Sequence, residues 1–326
     1  MGGESKLGWE GEDLFNYTKT GRNYAGTDRP RRRWPYIVVS LILLVVVAFV
    51  GLGLFFYQAL DLERAFGVKD RPVSILLLGT DRTYDERGRP ISAATRADTI
   101  ILLCLNPQAR EAHIVSIPRD TRARIPGRGF DKVNAAHAKG GVPLTIETVE
   151  GLLSLPVDRY VEVDFRGFIK LVDMLGGVEI EVDKDMHYVD RGGGLRIDLK
   201  QGLQRLNGEE ALQYARYRND ALGDIARVGR HQKLLKAMMK EALDLKKLRK
   251  VPDMFDEAMK YVNTDLSPRE IASIAWFLWR TRDRGFESTT LPGEFSRYYW
   301  LPDKEAIRGL VSHISRGFSP TTFNAN

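Results

Sequence analysis

The residues able to do chemistry fall into five charged groups set between apolar runs. The first, Leu76-Leu77-Leu78-Gly79-Thr80-Asp81-Arg82, carries an apolar run to a carboxylate and an arginine. In Thr95-Arg96-Ala97-Asp98-Thr99, Arg96 and Asp98 stand just ahead of another such run. Ser116-Ile117-Pro118-Arg119-Asp120 closes a third, and Phe130-Asp131-Lys132-Val133-Asn134 follows as a loop that enters a helix. The fifth group is Ala215-Arg216-Tyr217-Arg218 with Asp224, Arg227, Arg230, His231 and Gln232. Arg227, Arg230 and His231 are spaced i, i+3, i+4 and share one face of a helix, where they repel one another unless an anion is near.

Each group alone has an ordinary explanation, since Asp after Gly-Thr is commonly a turn, Arg-Asp pairs are commonly weak surface salt bridges, and Arg-rich helix faces are usually solvated. Together they offer carboxylates for a hard cation and a surplus of guanidinium groups, the pairing that diphosphate chemistry requires. Magnesium takes oxygen ligands and shares substrate phosphates with one or two carboxylates, while arginine grips phosphate oxygens in a bidentate fork.

Such groups act together only if the chain brings them to one place. Val73 to Leu78, Thr99 to Leu105 and His113 to Ile117 are short, apolar and β-branched, and read as buried strands. Helical spacing runs from Pro143 to Leu153 and from Arg166 to Leu175, the second closing at Gly176-Gly177. Val178 to Val182 alternates as a strand, Asn207 to Tyr217 opens a capped helix, and Ile225 to Leu248 is a long helix. Ser267 as N-cap, Pro268 at the first helical position and Glu270 as the partner in a capping box begin another, to Trp279. A strand and turn at Ser288 to Gly293 and a helix from Lys304 to Ile314 close the pattern. The alternation does not break into separate blocks, so the expected fold is one α/β domain with a mixed central sheet flanked by helices, its strand order left open. The first four charged groups then sit at or near strand ends, where open α/β sheets collect ligand groups.

The 326 residues are 43% hydrophobic, enough for a sizeable core. The 49 Lys and Arg against 43 Asp and Glu give +6, short of the concentrated basic surface of a nucleic-acid binder. With Cys104 as the one cysteine, neither an intramolecular disulfide nor a zinc cluster is expected, and its apolar setting reads as buried packing. Tyr36 to Tyr57 carries no charge and is long enough to cross a bilayer as a helix. Arg29, Arg31, Arg32 and Arg33 precede it, whereas Asp61 and Glu63 accompany Arg64 beyond it, so the positive-inside bias puts the N-terminus in the cytoplasm. The expected layout is a disordered cytoplasmic tail at 1–35, a transmembrane helix at 36–57, a linker at 58–71, an extracellular catalytic domain at 72–316 and a C-terminal tail at 317–326.

Asp81 in a Gly-x-Asp-Arg turn, Arg-x-Asp-Thr at 96–99, Pro-Arg-Asp at 118–120, Lys-x-Asn-Ala-Ala at 132–136, Ala-Arg-x-Arg at 215–218 and Asp-x-x-Arg-x-x-Arg at 224–230 resemble the ordered motif set of the LytR-CpsA-Psr family. A single anchor ahead of the domain is also that family's layout. The resemblance implies a phosphotransferase that moves a teichoic-acid-like or capsular glycopolymer phosphate from undecaprenyl diphosphate to a peptidoglycan hydroxyl, commonly the 6-hydroxyl of N-acetylmuramic acid. Its partners would be the lipid-linked polymer, the peptidoglycan acceptor and the membrane, with no nucleic acid. By the same resemblance Asp81 and Asp98 would hold Mg2+. Arg82, Arg96, Arg119, Lys132, Asn134, Arg216, Arg218, Arg227, Arg230 and His231 would line the phosphate site. Asp81, Asp98, Arg96 and Asp224 form the expected catalytic group, with Asp98 or Asp224 as candidate general base.

The family usually has Arg-Gln-Gln where this chain has Arg230-His231-Gln232. Neighbouring cations are expected to lower the pKa of His231 in the empty site and a bound diphosphate to reverse this, so that its titration shapes activity between about pH 5.5 and 7.5. Phe168 to Leu175, Leu234 to Leu243 and Ile271 to Trp279 could wall a lipid groove, though core packing explains each as well. Tyr298, Tyr299 and Trp300 read as a sugar-stacking platform or a packed corner. The competing functions are hydrolysis of polyprenyl diphosphates, with water as acceptor, and membrane-bound regulation of transcription. The topology opposes the second, since the folded basic part would lie across the membrane from DNA.

Protease added to wall-stripped cells is expected to degrade the chain from about residue 60 onward. Protection of the whole domain would overturn the proposed orientation.

Overall fold

The structure, a computed structural model, describes residues 60–81, 95–190, 195–217, 224–243 and 257–318. The expected membrane helix, the cytoplasmic tail, Arg82 and Arg218 lie outside the described residues.

The described chain begins with α1 (Leu62–Phe66), β1 (Val73–Thr80), β2 (Ala97–Asn106) and β3 (Glu111–Ser116). A hairpin of β4 (Arg122–Ile125) and β5 (Gly129–Lys132) leads into α2 (Val133–Leu153). Next come β6 (Arg159–Asp164), α3 (Phe165–Met174), β7 (Val178–Val182), the hairpin β8 (Met186–Asp190) and β9 (Leu195–Leu199), β10 (Gly202–Leu206) and α4 (Gly208–Arg216). The chain continues through α5 (Asp224–Ala242), β11 (Val262–Thr264), α6 (Pro268–Thr281), β12 (Phe286–Thr290), the hairpin β13 (Gly293–Ser296) and β14 (Tyr299–Pro302), and α7 (Lys304–Ile314).

The three apolar runs form the middle of a six-stranded sheet in the order β11-β6-β1-β2-β3-β12. β1 pairs parallel with β6, and β3 with β12, while β2 runs antiparallel to both β1 and β3. The expected mixed sheet flanked by helices is therefore the observed one. From Ile100 to Asn106 every residue of β2 is buried, as a strand covered on both faces must be. Leu76, Leu78, Ile100, Leu102, Cys104 and Val115 pack on one side with Val133 and Val149 of α2 and Ile307 and Val311 of α7. On the other, Ile75, Leu103 and Ile114 meet Met239 of α5 and Phe277 and Leu278 of α6. Cys104 is fully buried, as expected. A further core joins β7 and the β8–β9 hairpin to α3, α4 and α5 through Val172, Ile180, Ile197 and Tyr214.

Local signals set several boundaries. Ser267 accepts from Glu270 N while Glu270 reaches back to Ser267 N, so α6 has the expected capping box, and Asn207 with Glu210 gives α4 another. The helix expected from Pro143 is the second half of α2, which starts ten residues earlier and kinks at Gly140 and Gly141. Phe130 to Lys132, expected as loop, belong to β5. Gly141 has φ 64° and ψ −155°, a region open essentially to glycine alone.

Gly141→Ala is expected to destabilise the domain by about 1–3 kcal/mol. The check is a lower denaturant midpoint with unchanged slope; an unchanged midpoint would show that the kink tolerates a side chain.

Candidate active site

The site grows from an irregularity between β1 and β2. Gly79 faces Thr99, but Thr80 faces Ala97, so the ladder steps over Asp98. An extra residue of this kind re-aims its side chain. Asp98 Oδ1 accepts from Arg119 Nη1 at 2.9 Å, and Asp81, just past the end of β1, accepts from Arg96 N at 3.3 Å. The strands approach closely because Gly79 lacks a Cβ, which would stand 2.9 Å from Thr99 Cβ.

Arg119 is held in turn. Its Nε lies 3.7 Å from Asp120 Oδ2, and Lys132 Nζ lies 2.8 Å from Asp120 Oδ1. The backbone N–H of Asn134, a buried residue, donates to Arg119 O at 3.2 Å and ties the Pro-Arg-Asp turn to the first turn of α2. Lys132 Nζ sits 6.0 Å from the centroid of the Tyr299 ring. Trp300 is a packed corner, buried with its indole N–H donating to Leu291 O, whereas Tyr298 is exposed.

Asp81, Asp98, Arg216, Arg227 and His231 meet at one groove of about 470 Å³. Its inner walls are apolar: Leu77, Ile101 and Val161 from the sheet, Phe168 and Leu171 from α3, and Leu234, Leu235 and Met238 from α5. Two of the three expected wall segments thus contribute. The third, Ile271 to Trp279, does not line this groove; its Phe277 and Leu278 pack against the sheet. The Arg216 guanidinium lies 4.9 Å from the Phe165 ring centroid at the groove. Arg227 is buried and lines the groove, whereas Arg230, also buried, donates to Tyr217 O and stacks 5.4 Å from that residue's ring. Arg230 braces the segment leading out of α4 and is absent from the groove lining. Asp224 opens α5.

His231 Nε2 is 3.1 Å from Ala215 O and Nδ1 is 3.3 Å from Thr99 Oγ1. A carbonyl only accepts, so Nε2 carries the proton and Nδ1 receives the threonine hydroxyl. Burial, followed by Arg227 and then Arg230, lowers the pKa to about 4 against the opposing pull of Ala215 O and Asp98. The direction is the one expected for the empty site, where the ring is neutral between about pH 5.5 and 7.5.

Several contributors were not singled out from sequence. Thr99 orients His231, and Asp164 lines the groove while capping α3 through Gly167 N at 2.8 Å. Its position before Phe165 and the helical spacing beyond was the available signal. Gln232, noted only as a neighbour, donates to Ser116 Oγ and Thr289 O, both at 3.0 Å, and pins α5 to the ends of β3 and β12.

The model of the LytR_cpsA_psr family matches residues 58–314. A relative from Halalkalibacterium halodurans, named polyisoprenyl-teichoic acid–peptidoglycan teichoic acid transferase TagU, is 33% identical over 312 residues, covering 85% of this chain and 97% of the relative. The crystal structure of TagV from Bacillus subtilis aligns with a TM-score of 0.64 at 29% identity, covering 78% of this chain and all of that one. A structure of TagT bound to LIIa-WTA aligns at 0.59 with 30% identity, covering 75% and 89%.

A folded-state pKa of about 4 for His231, below the unfolded value of about 6.5, means that the unfolded chain binds the proton first as pH falls. The stabilisation is complete above about pH 6.5 and is lost down to about pH 4, a change of at most about 3 kcal/mol. His231→Gln is expected to flatten stability against pH across that window in unfolding experiments. An equally steep fall in the variant would sink the assignment.

Proposed function

The chain belongs to the LytR_cpsA_psr family, and on that premise we propose that it is a Mg2+-dependent phosphotransferase that moves a glycopolymer phosphate, teichoic-acid-like or capsular, from undecaprenyl diphosphate to a peptidoglycan hydroxyl. Its relatives are named for transfer of teichoic acid from a polyisoprenyl carrier to peptidoglycan, and the coarser activity, glycopolymer transfer from a polyprenyl-linked donor, comes with them. The observation that carries the reading is a groove that brings carboxylates and arginines together with apolar walls. Such a groove fits a ligand that is a diphosphate at one end and a hydrocarbon at the other. The proposal includes an anchor at 36–57, a cytoplasmic N-terminus and an extracellular domain.

Asp81 and Asp98 fit a magnesium ion, because both line the groove mouth from adjacent strands and offer only oxygen ligands. When bound there, the ion would neutralise charge on the diphosphate oxygens. Arg119 orients Asp98 through the ion pair at 2.9 Å, and the Asp120–Lys132 pair steadies Arg119 from behind. Arg216 and Arg227, which line the groove, would receive phosphate oxygens, with Arg82, Arg96, Arg119, Lys132, Asn134, Arg218, Arg230 and His231 as the remaining members of the proposed phosphate-binding set. The acceptor hydroxyl attacks the sugar-linked phosphorus, the bond to the bridging oxygen breaks, and undecaprenyl phosphate leaves, with arginines stabilising the charge that develops on it. The acceptor proton passes to a carboxylate, Asp98 or Asp224 in this proposal.

Asp81→Ala and Asp98→Ala are each expected to lower transfer on the order of a hundred- to a thousand-fold while leaving the unfolding midpoint near wild type. The assay supplies lipid-linked donor and acceptor glycan with and without Mg2+ and scores product on the glycan. Near-wild-type, magnesium-dependent transfer in both variants would refute the metal assignment, and release of polymer phosphate to water alone would favour hydrolysis.

A further inference from the structure

A second cluster of potential ligands lies away from the groove, toward the opposite end of β3. His113 on β3 and Glu287 on β12 are directly paired across the parallel ladder, and His313 comes from the last turn of α7. Glu287 Oε2 is 3.2 Å from His113 Nδ1 and 3.1 Å from His313 Nε2, and the three ligand atoms lie within 4.8 Å of one another. Metal–ligand bonds of about 2.0–2.2 Å in a tetrahedron set neighbouring donors roughly 3.3–3.6 Å apart, so a small movement would seat an ion among them. The two rings meet edge to face with centroids 5.5 Å apart.

The second observation concerns His113 itself. Its side chain is 3% exposed, and Nε2 has no hydrogen-bond partner. That nitrogen faces Glu111, across the ring from the Nδ1 that lies nearest Glu287. Glu111 Oε2 stands 3.5 Å from this Nε2 and is fixed by Arg316 Nη2 at 3.0 Å. A carboxylate behind a histidine ligand holds the proton on the far nitrogen and leaves the near one as a donor to metal. Glu111 and Glu287 against Arg316 leave a net negative charge for a cation to balance. The half-exposed Glu287 and His313 leave room for water as a fourth ligand.

We propose that His113, Glu287 and His313 bind a divalent transition metal of the zinc type, with Glu111 as the outer carboxylate, and that the ion clasps α7 to β3 and the edge strand β12. The lone cysteine, Cys104, is no bar to zinc here, since two histidines and a carboxylate need none. A site of two imidazoles and one carboxylate prefers Zn2+ to the Mg2+ proposed for the groove.

The test uses the full chain in detergent, stripped with chelator and then held in millimolar Mg2+ to occupy the groove carboxylates. Zn2+ is titrated by calorimetry, and Co2+ is added separately as a spectroscopic probe. One Zn2+ per chain, a rise in Tm, and the visible absorption of tetrahedral Co2+ are expected. His313→Ala and Glu287→Gln, both at exposed positions, should abolish all three while keeping the metal-free Tm. Glu111→Gln should weaken Zn2+ binding about 10- to 100-fold, as loss of an outer-shell partner does. Absence of Zn2+ binding in the wild-type chain, or binding unchanged in both His313→Ala and Glu287→Gln, would overturn the site.

Discussion

The structure depends on β2, which runs against both of its neighbours in the middle of the sheet. Because β2 runs against β1 and β3, its N-terminal end meets their C-terminal ends, and Asp81, Asp98 and Arg119 arrive at one edge from three neighbouring strands. In a wholly parallel arrangement the start of β2 would lie at the far side of the sheet. The step in the ladder at Asp98 completes the effect, since a residue outside the pairing is free of the alternation that would otherwise fix its face. Arg119 then selects the orientation by an ion pair at 2.9 Å.

Helix packing supplies the second half of the groove. α5 lies over the sheet and against α4, so it carries the apolar Leu234, Leu235 and Met238 and the polar Arg227 and His231 into the groove from the same face. Burial first, then Arg227 and Arg230, lowers the affinity of His231 for a proton. The guanidinium groups of Arg216 and Arg227 in the lining favour an anion. The apolar walls sharpen that preference, because fields are less screened where water is excluded.

What could be read from the chain in advance were the features fixed by a few adjacent residues. The Ser267–Glu270 capping box, the apolar run of β2 and the closing helix from Lys304 depend on spacing alone, and each stands where it was expected. β6 was not legible. Its Arg-Tyr-Val-Glu-Val-Asp sequence has a glutamate, Glu162, as its buried residue, and that burial rests on His137 at 3.1 Å and Asn263 at 2.7 Å from distant parts of the chain. The step at Asp98 is equally invisible, being a property of two strands in register. Among the candidate site residues, charge type indicated that Arg227 and Arg230 belonged near an anion, but only packing separates the one that lines the groove from the one that holds Tyr217.

The histidine at 231 shows how a departure in residue type can leave the local chemistry nearly unchanged. A glutamine amide offers one donor end and one acceptor end, and a neutral imidazole does the same through its two nitrogens. Here Nε2–H donates to Ala215 O and Nδ1 accepts from Thr99, so the ring links α4 to β2 across the groove as an amide could. The substitution is tolerable only if the ring stays neutral, since a protonated ring would lose the acceptor that Thr99 uses and add charge beside Arg227. Burial first, and Arg227 and Arg230 after it, keep the histidine in the state that imitates an amide.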